Sequence, residues 1–174
     1  DVDGDRLVVG SYYTDWPTTT GKGGGYVFEF DGDSWNQVDS LVPPPDFLGD
    51  GGGAWIAVDG EVAAVTPADP GYRKVNVYMA NSEGWALSQV IESPVPLPPD
   101  ANFGGSFDLQ DEWMVVSAYR DPTRAPVGGS VFVYRRDGDG VYRLTQQILP
   151  PEPFENTRQF GFIPTIDGNT MAIS

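Results

Sequence analysis

Asp1, Asp3 and Asp5 stand at alternate positions in the opening run DVDGDRLVVG, directly ahead of an apolar segment. Alternate carboxylates can gather a hard cation, since calcium takes about six to eight oxygens at roughly 2.3–2.6 Å. The same spacing also suits a polar turn that leads into a β-strand. FDGDSW (30–35) and RDGDGVY (136–142) pose the same choice, and there Asp and Gly suit a hairpin turn. A second chemistry gathers in YYTDWPTTTGKGG (12–24), where Tyr12, Tyr13 and Trp16 flank Asp15. YRDPTRAPVGG (119–129) opens in a similar way on Tyr119, Arg120 and Asp121, and ADPGYR (68–73) is a third loop of this class. An aromatic face beside a carboxylate suits a sugar, whose CH groups stack on the ring while its hydroxyls bond to the acid. The alternative is that these aromatics pack on a neighbouring element and Asp15 caps a turn.

The 174 residues include neither Cys nor His. That removes thiol nucleophiles, disulfides, zinc sites of the usual ligand types and every His-based triad. No Lys lies in an apolar run that would activate it, so the chain reads as non-catalytic. A formal net charge of −15 repels phosphates and anionic lipid heads, which argues against nucleic-acid partners. No window of about 18 apolar residues is present, so no membrane insertion is expected. The chain opens on Asp with no signal-peptide pattern ahead of it, and reads as an internal piece or a processed form of something longer.

The elements that must position these residues recur. Val2–Ser11, Val58–Pro67, Leu109–Ala118 and Ile166–Ser174 align as a turn followed by an apolar strand, spaced by 56, 51 and 57 residues. Each of the first three is followed by a strand-like run: GYVFEF (25–30), KVNVYM (74–79) and SVFVYR (130–135). Then come a polar turn, an aromatic (Trp35, Trp85, Tyr142) and an aliphatic six residues on (Leu41, Ile91, Ile148). A proline-rich run closes each unit, at 43–45, 94–99 and 150–153, and reads as a rigid connector. Four short β-runs per repeat of about 50 residues, with 22 Gly and 16 Pro for the turns, describe propeller blades. In the second repeat the runs fall near 54–58, 61–66, 74–79 and 84–92. The expected fold is all-β: four-stranded antiparallel blades, about three and a fraction of them. Blade 1 spans 1–49 without its first strand, blade 2 spans 50–102, blade 3 spans 103–159, and 160–174 begins blade 4.

Phe103-Gly104 and Phe160-Gly161, with Leu48-Gly49 as a degenerate copy, precede these units. Together with LVVGS and with Gly-Gly before VFVY, they make the chain resemble the FG-GAP repeat of integrin-α-type propellers. Gly10-Ser11-Tyr12, Thr66-Pro67-Ala68 and Ser117-Ala118-Tyr119 occupy the Gly-Ala-Pro slot without reproducing it. Kelch repeats are the runner-up, but they place paired Gly after the second strand, whereas Gly24-Gly25 and Gly128-Gly129 precede the third. The resemblance implies a seven-bladed ring. Its further blades would come from the same parent chain or from other subunits.

The resemblance also implies a binding or adhesion module, extracellular or at the cell surface, recognising a glycan or a protein through its loops. The alternatives are a scaffold fragment within a larger assembly, or a propeller domain attached to an enzyme. Blades of this family often carry a calcium loop, D-x-D-x-D-G-x-x-D. Here Arg6 replaces the loop Gly and Val9 the closing carboxylate, so Asp1, Asp3 and Asp5 read as a turn with calcium as the weaker alternative. No other cofactor is expected. An open stack of blades would expose Leu7, Val8 and Val9 at one end and Met171, Ala172 and Ile173 at the other.

Overall fold

The computed structural model describes residues 1–17, 21–44, 53–66, 74–151 and 158–174. Among these, all regular structure is β apart from one short 3-10 helix at Pro99–Ala101. No helix among them is long and apolar enough to cross a membrane. Two compact units are formed, Asp1–Ile91 and Glu92–Ser174.

The first unit holds two four-stranded antiparallel meanders. One is β1 (Val2–Asp3), β2 (Arg6–Ser11), β3 (Gly24–Phe30) and β4 (Trp35–Leu41); the other is β5 (Trp55–Asp59), β6 (Val62–Thr66), β7 (Lys74–Asn81) and β8 (Gly84–Glu92). The second unit holds β9 (Phe103–Gln110), β10 (Trp113–Ala118), β11 (Ser130–Arg136) and β12 (Tyr142–Ile148), followed by the hairpin β13 (Pro164–Asp167) and β14 (Thr170–Ile173). Each four-stranded sheet has the strand order of a propeller blade. The first blade differs from expectation in having a first strand, although it is only two residues long. Leu48-Gly49, Pro67-Ala68, the loop 68–73, Pro45 and residues 152–153 lie outside the described residues.

Local turn chemistry sets the registers. The hairpins closed by Asp3↔Arg6, Asp59↔Val62, Gln110↔Trp113 and Asp167↔Thr170 each leave a two-residue loop. The first loop residue has φ between +53° and +55° in all four: Gly4, Gly60, Asp111 and Gly168. Primed turns need such a residue, so Asp-Gly here is backbone chemistry. The third and fourth strands share a second device. Their register slips between Val27 and Phe28 in one blade and between Val133 and Tyr134 in the other, leaving Val38 and Thr145 as the bulged residues. Trp35 and Tyr142 open their fourth strands opposite the last residue of the third, and Trp85 is the second residue of β8. Their environments differ, since Trp35 lies exposed on Phe30 while Tyr142 is buried.

In the first unit the core joins Val8, Val27 and Leu41 of one sheet to Val58, Ala63, Val65 and Tyr78 of the other, with Ile56 and Trp85 against it. Val8 is thus fully buried while its neighbour Val9 is 42% exposed, which corrects the expectation that Leu7, Val8 and Val9 lie open together. Strand alternation sends the two valines to opposite faces. In the second unit Val115, Val131 and Val133 pack with Ile148, Ile166, Met171 and Ile173. Met171 and Ile173 therefore face the blade and are half-buried, while Ala172 points out.

Candidate functional site

The opening carboxylates act across the blades. One oxygen of Asp1 accepts its own next N–H (Val2, 2.9 Å) and the other accepts the N–H of Val58, also at 2.9 Å. Asp3 accepts the N–H of Gly60 at 2.8 Å, and the Arg6 guanidinium donates to the carbonyl of Gly60. The second unit repeats the device. Asp108 accepts Leu109 N–H through one oxygen, and Ile166 N–H (2.9 Å) and the Thr165 hydroxyl (2.7 Å) through the other. Gln110 takes the place of Asp3 and accepts Gly168 N–H. Asp1 and Asp3 thus each give one oxygen to a backbone donor of the next sheet, and the Arg6 guanidinium binds the same Gly60 from its carbonyl side. No group of three or more metal-type ligands forms among the described residues.

Asp108→Ala would leave the Ile166 N–H and the Thr165 hydroxyl without their charged acceptor. It is expected to cost about 2 kcal/mol and to speed amide exchange at Ile166; unchanged protection there would refute the cross-blade role. Sequence reasoning missed this device. The available signal was the recurrence of an acceptor side chain two residues apart at the end of the first strand in the first and third blades.

The Asp-rich turns between third and fourth strands are capped loops. Asp31 accepts the N–H groups of Asp33 and Ser34, both at 2.9 Å. Asp137 accepts those of Asp139 and Val141, both at 3.0 Å, and the Arg143 guanidinium at 2.6 Å. The backbone N–H of Ser34 holds the Asp31 carboxyl below its ordinary range, and that of Val141 does so for Asp137. A depressed carboxylate stabilises the fold above its ordinary pKa and loses that contribution as pH falls through the depressed value.

The aromatic loop between β2 and β3 divides into two parts. The Tyr12 and Tyr13 rings meet edge to face at 4.3 Å and are 43% and 69% exposed. Trp16 turns inward: its ring lies 5.5 Å from that of Tyr26 and its indole N–H donates to the carbonyl of Gly23. Gly24 makes room for it, since a Cβ there would fall 2.9 Å from the indole. Asp15 is exposed and accepts the N–H of Gly21 at 2.5 Å, so it caps the turn while keeping its other oxygen at the surface.

In the second unit, Tyr119, Arg120 and Asp121 have separate surroundings. Tyr119 accepts from the Asn102 amide at 2.9 Å and sets its ring edge-on to Phe162 at 4.8 Å. Arg120 donates its backbone N–H to Ala101 and holds a buried Nε without a hydrogen-bond partner. Asp121 is fully buried. It accepts from Thr123 N–H (2.8 Å), the Thr123 hydroxyl (2.5 Å), the Ser130 hydroxyl (2.6 Å) and the Gln147 amide (3.0 Å). Tyr12, Tyr13 and Asp15 are thus exposed, Trp16, Tyr119 and Arg120 are half-buried, and Asp121 organises its own loop. No known protein family matches the chain, and no curated protein is significantly similar to it.

Proposed function

We propose that the chain is a non-catalytic binding module of a secreted or cell-surface protein. In this reading its blades belong to an FG-GAP-type ring, and the β2–β3 loop carries recognition of a glycan or a protein. The exposed Tyr12–Tyr13 pair, on the same loop as the exposed Asp15, carries the reading, because the loop's third aromatic, Trp16, is packed. Loops on a rigid sheet scaffold are where binding groups concentrate. The ring assignment is supported by glycines with similar φ ahead of or early in successive first strands: Gly53 (+74°), Gly104 (+76°) and Gly161 (+79°).

The test is a glycan array with the whole chain, followed by titration of any hit. Tyr13→Ala is expected to weaken binding at least about tenfold, or roughly 1.4 kcal/mol, with unchanged thermal unfolding. Binding that survives both Tyr13→Ala and Asp15→Ala would remove this loop from the site. Silence across the array would exclude a glycan represented on it and favour a protein partner.

A further inference from the structure

The β10–β11 loop of the second unit holds a cation that the fold does not use. Arg6, Arg135 and Arg143 each pair with a carboxylate, of Glu29, Glu112 and Asp137 in turn, and Arg136 donates to the carbonyl of Asp111. Arg120 has no such partner. Its Nε is shielded from solvent and makes no hydrogen bond, while its terminal nitrogens are not sealed and carry neither a hydrogen bond nor an ion pair among the described residues. The adjacent carboxylate, Asp121, is turned inward onto Thr123, Ser130 and Gln147. The chain has 25 Asp and Glu against 10 Lys and Arg, so acidic partners were abundant and this guanidinium took none of them. Burying Nε without an acceptor costs the fold free energy, and such a group calls for an explanation outside stability.

We propose that Arg120 and Tyr119 form a receptor for a singly charged oxyanion, a carboxylate or a sulfate ester carried by a ligand. The guanidinium offers parallel N–H donors end-on, the geometry that suits two oxygens of one anion. Tyr119 accepts from the Asn102 amide, which leaves its hydroxyl proton for a further acceptor. Both residues are anchored on one corner of the chain, since the Arg120 N–H donates to the carbonyl of Ala101 at 3.1 Å and the Tyr119 hydroxyl meets the next side chain, Asn102. The Tyr119 ring is fixed by Phe162 and by Gly105, where a Cβ would fall 2.7 Å from the ring. The loop beyond is pinned at both ends. Asp121 organises the first, and at the other Val127 holds φ +54°, rare for a β-branched residue, with its carbonyl on the Gln159 N–H at 2.8 Å. A receptor already in place loses little freedom on binding. One guanidinium balances one negative charge, so a phosphate monoester, with nearly two, would be left partly uncompensated beside Asp100 and Asp121. The site is independent of the β2–β3 loop proposed above for recognition.

The probes are sodium acetate and sodium methyl sulfate, each titrated into the whole isotope-labelled 174-residue chain against sodium chloride at matched ionic strength. NMR follows the Arg120 Nε–H and the backbone amides of 119–121. Saturable shifts confined to these groups are expected with at least one of the two oxyanions and not with chloride, and the tighter of the two names the kind of group the ligand carries. Arg120→Met keeps the apolar stem and is expected to weaken binding at least about tenfold. Tyr119→Phe keeps the ring packing and is expected to weaken it about threefold. Arg120→Met should also melt at or above the wild-type temperature, because it removes an unpaired buried N–H. A fall of more than about 3 °C would mean that the guanidinium serves the fold, and would overturn the proposal. Shifts no larger than those of chloride, or affinity unchanged in either variant, would overturn it as well.

Discussion

Gly53→Ala is expected to destabilise the first unit by about 3 kcal/mol, combining the cost of a left-handed backbone for a residue with a Cβ and the cost of overpacking. Gly53 sits at φ +74°, and a Cβ built on it would fall 2.1 Å from the carbonyl oxygen of Gly24 and 2.6 Å from the Ser11 nitrogen. Both neighbours are backbone atoms of the adjoining sheet, so no rotamer change can relieve the clash. Gly10 mirrors the arrangement, since its own Cβ would lie 2.1 Å from the carbonyl of Gly53. The two sheets meet here backbone to backbone. Gly4→Ala separates the two costs: its φ is +53°, but nothing lies within 4 Å of the added carbon. It should lose only the conformational part, about 1–2 kcal/mol. Thermal unfolding of the two variants gives the comparison. Equal losses would mean that the approach of the sheets contributes nothing.

Gly53 also shows where the sequence stopped being informative. Leu48-Gly49 reads as the Gly at the head of the second blade and lies outside the described residues; among those described, Gly53 has a φ that matches those of Gly104 and Gly161. Residues 49–53 read Gly-Asp-Gly-Gly-Gly and offer several registers. The contact that packs Gly53 comes from Gly24, far away in the chain. The strands were legible for the opposite reason. Their apolar runs and two-residue turns are local properties, and the four runs foreseen near 54–58, 61–66, 74–79 and 84–92 lie within about two residues of β5 to β8. The opening Asp-x-Asp was legible as a turn but not as a cross-blade acceptor. Its partners are the backbone N–H groups of Val58 and Gly60, which leave no mark on side-chain patterns.

The two aromatic loops show the same limit. YYTD and YRD look alike, yet the structure aligns Asp121 with Thr14 and not with Asp15. Gly129 donates its N–H to the carbonyl of Asp121 as Gly23 does to that of Thr14. One residue of offset sends one carboxylate to the surface and the other into the interior. Burial is a property of the tertiary contacts, so the shared motif could not distinguish a loop organiser from a candidate ligand group.

Asp121→Ala is expected to cost about 3–5 kcal/mol, the range for stripping a buried charged group from partners that remain buried. The carboxylate is completely shielded from solvent and takes four hydrogen bonds, two of them to Thr123 and one each to Ser130 and Gln147. Alanine would leave these donors facing a cavity that cannot accept from them. Asn keeps the shape and one carbonyl acceptor, but it brings an NH₂ to a place that already holds donors. Asp121→Asn should therefore fall between the wild type and Asp121→Ala. A loss of this size lowers Tm by roughly 6–20 °C at about 2–4 °C per kcal/mol. Asp15→Ala, at the surface of the other loop, should stay within about 0.5 kcal/mol. Loop proteolysis adds a local readout, because cleavage within 121–129 should accelerate in the Asp121 variants and not in the Asp15 variant. If Asp121→Ala unfolded within 1 °C of wild type, the buried network would not hold the loop, and Asp121 would return to the list of groups available to a ligand.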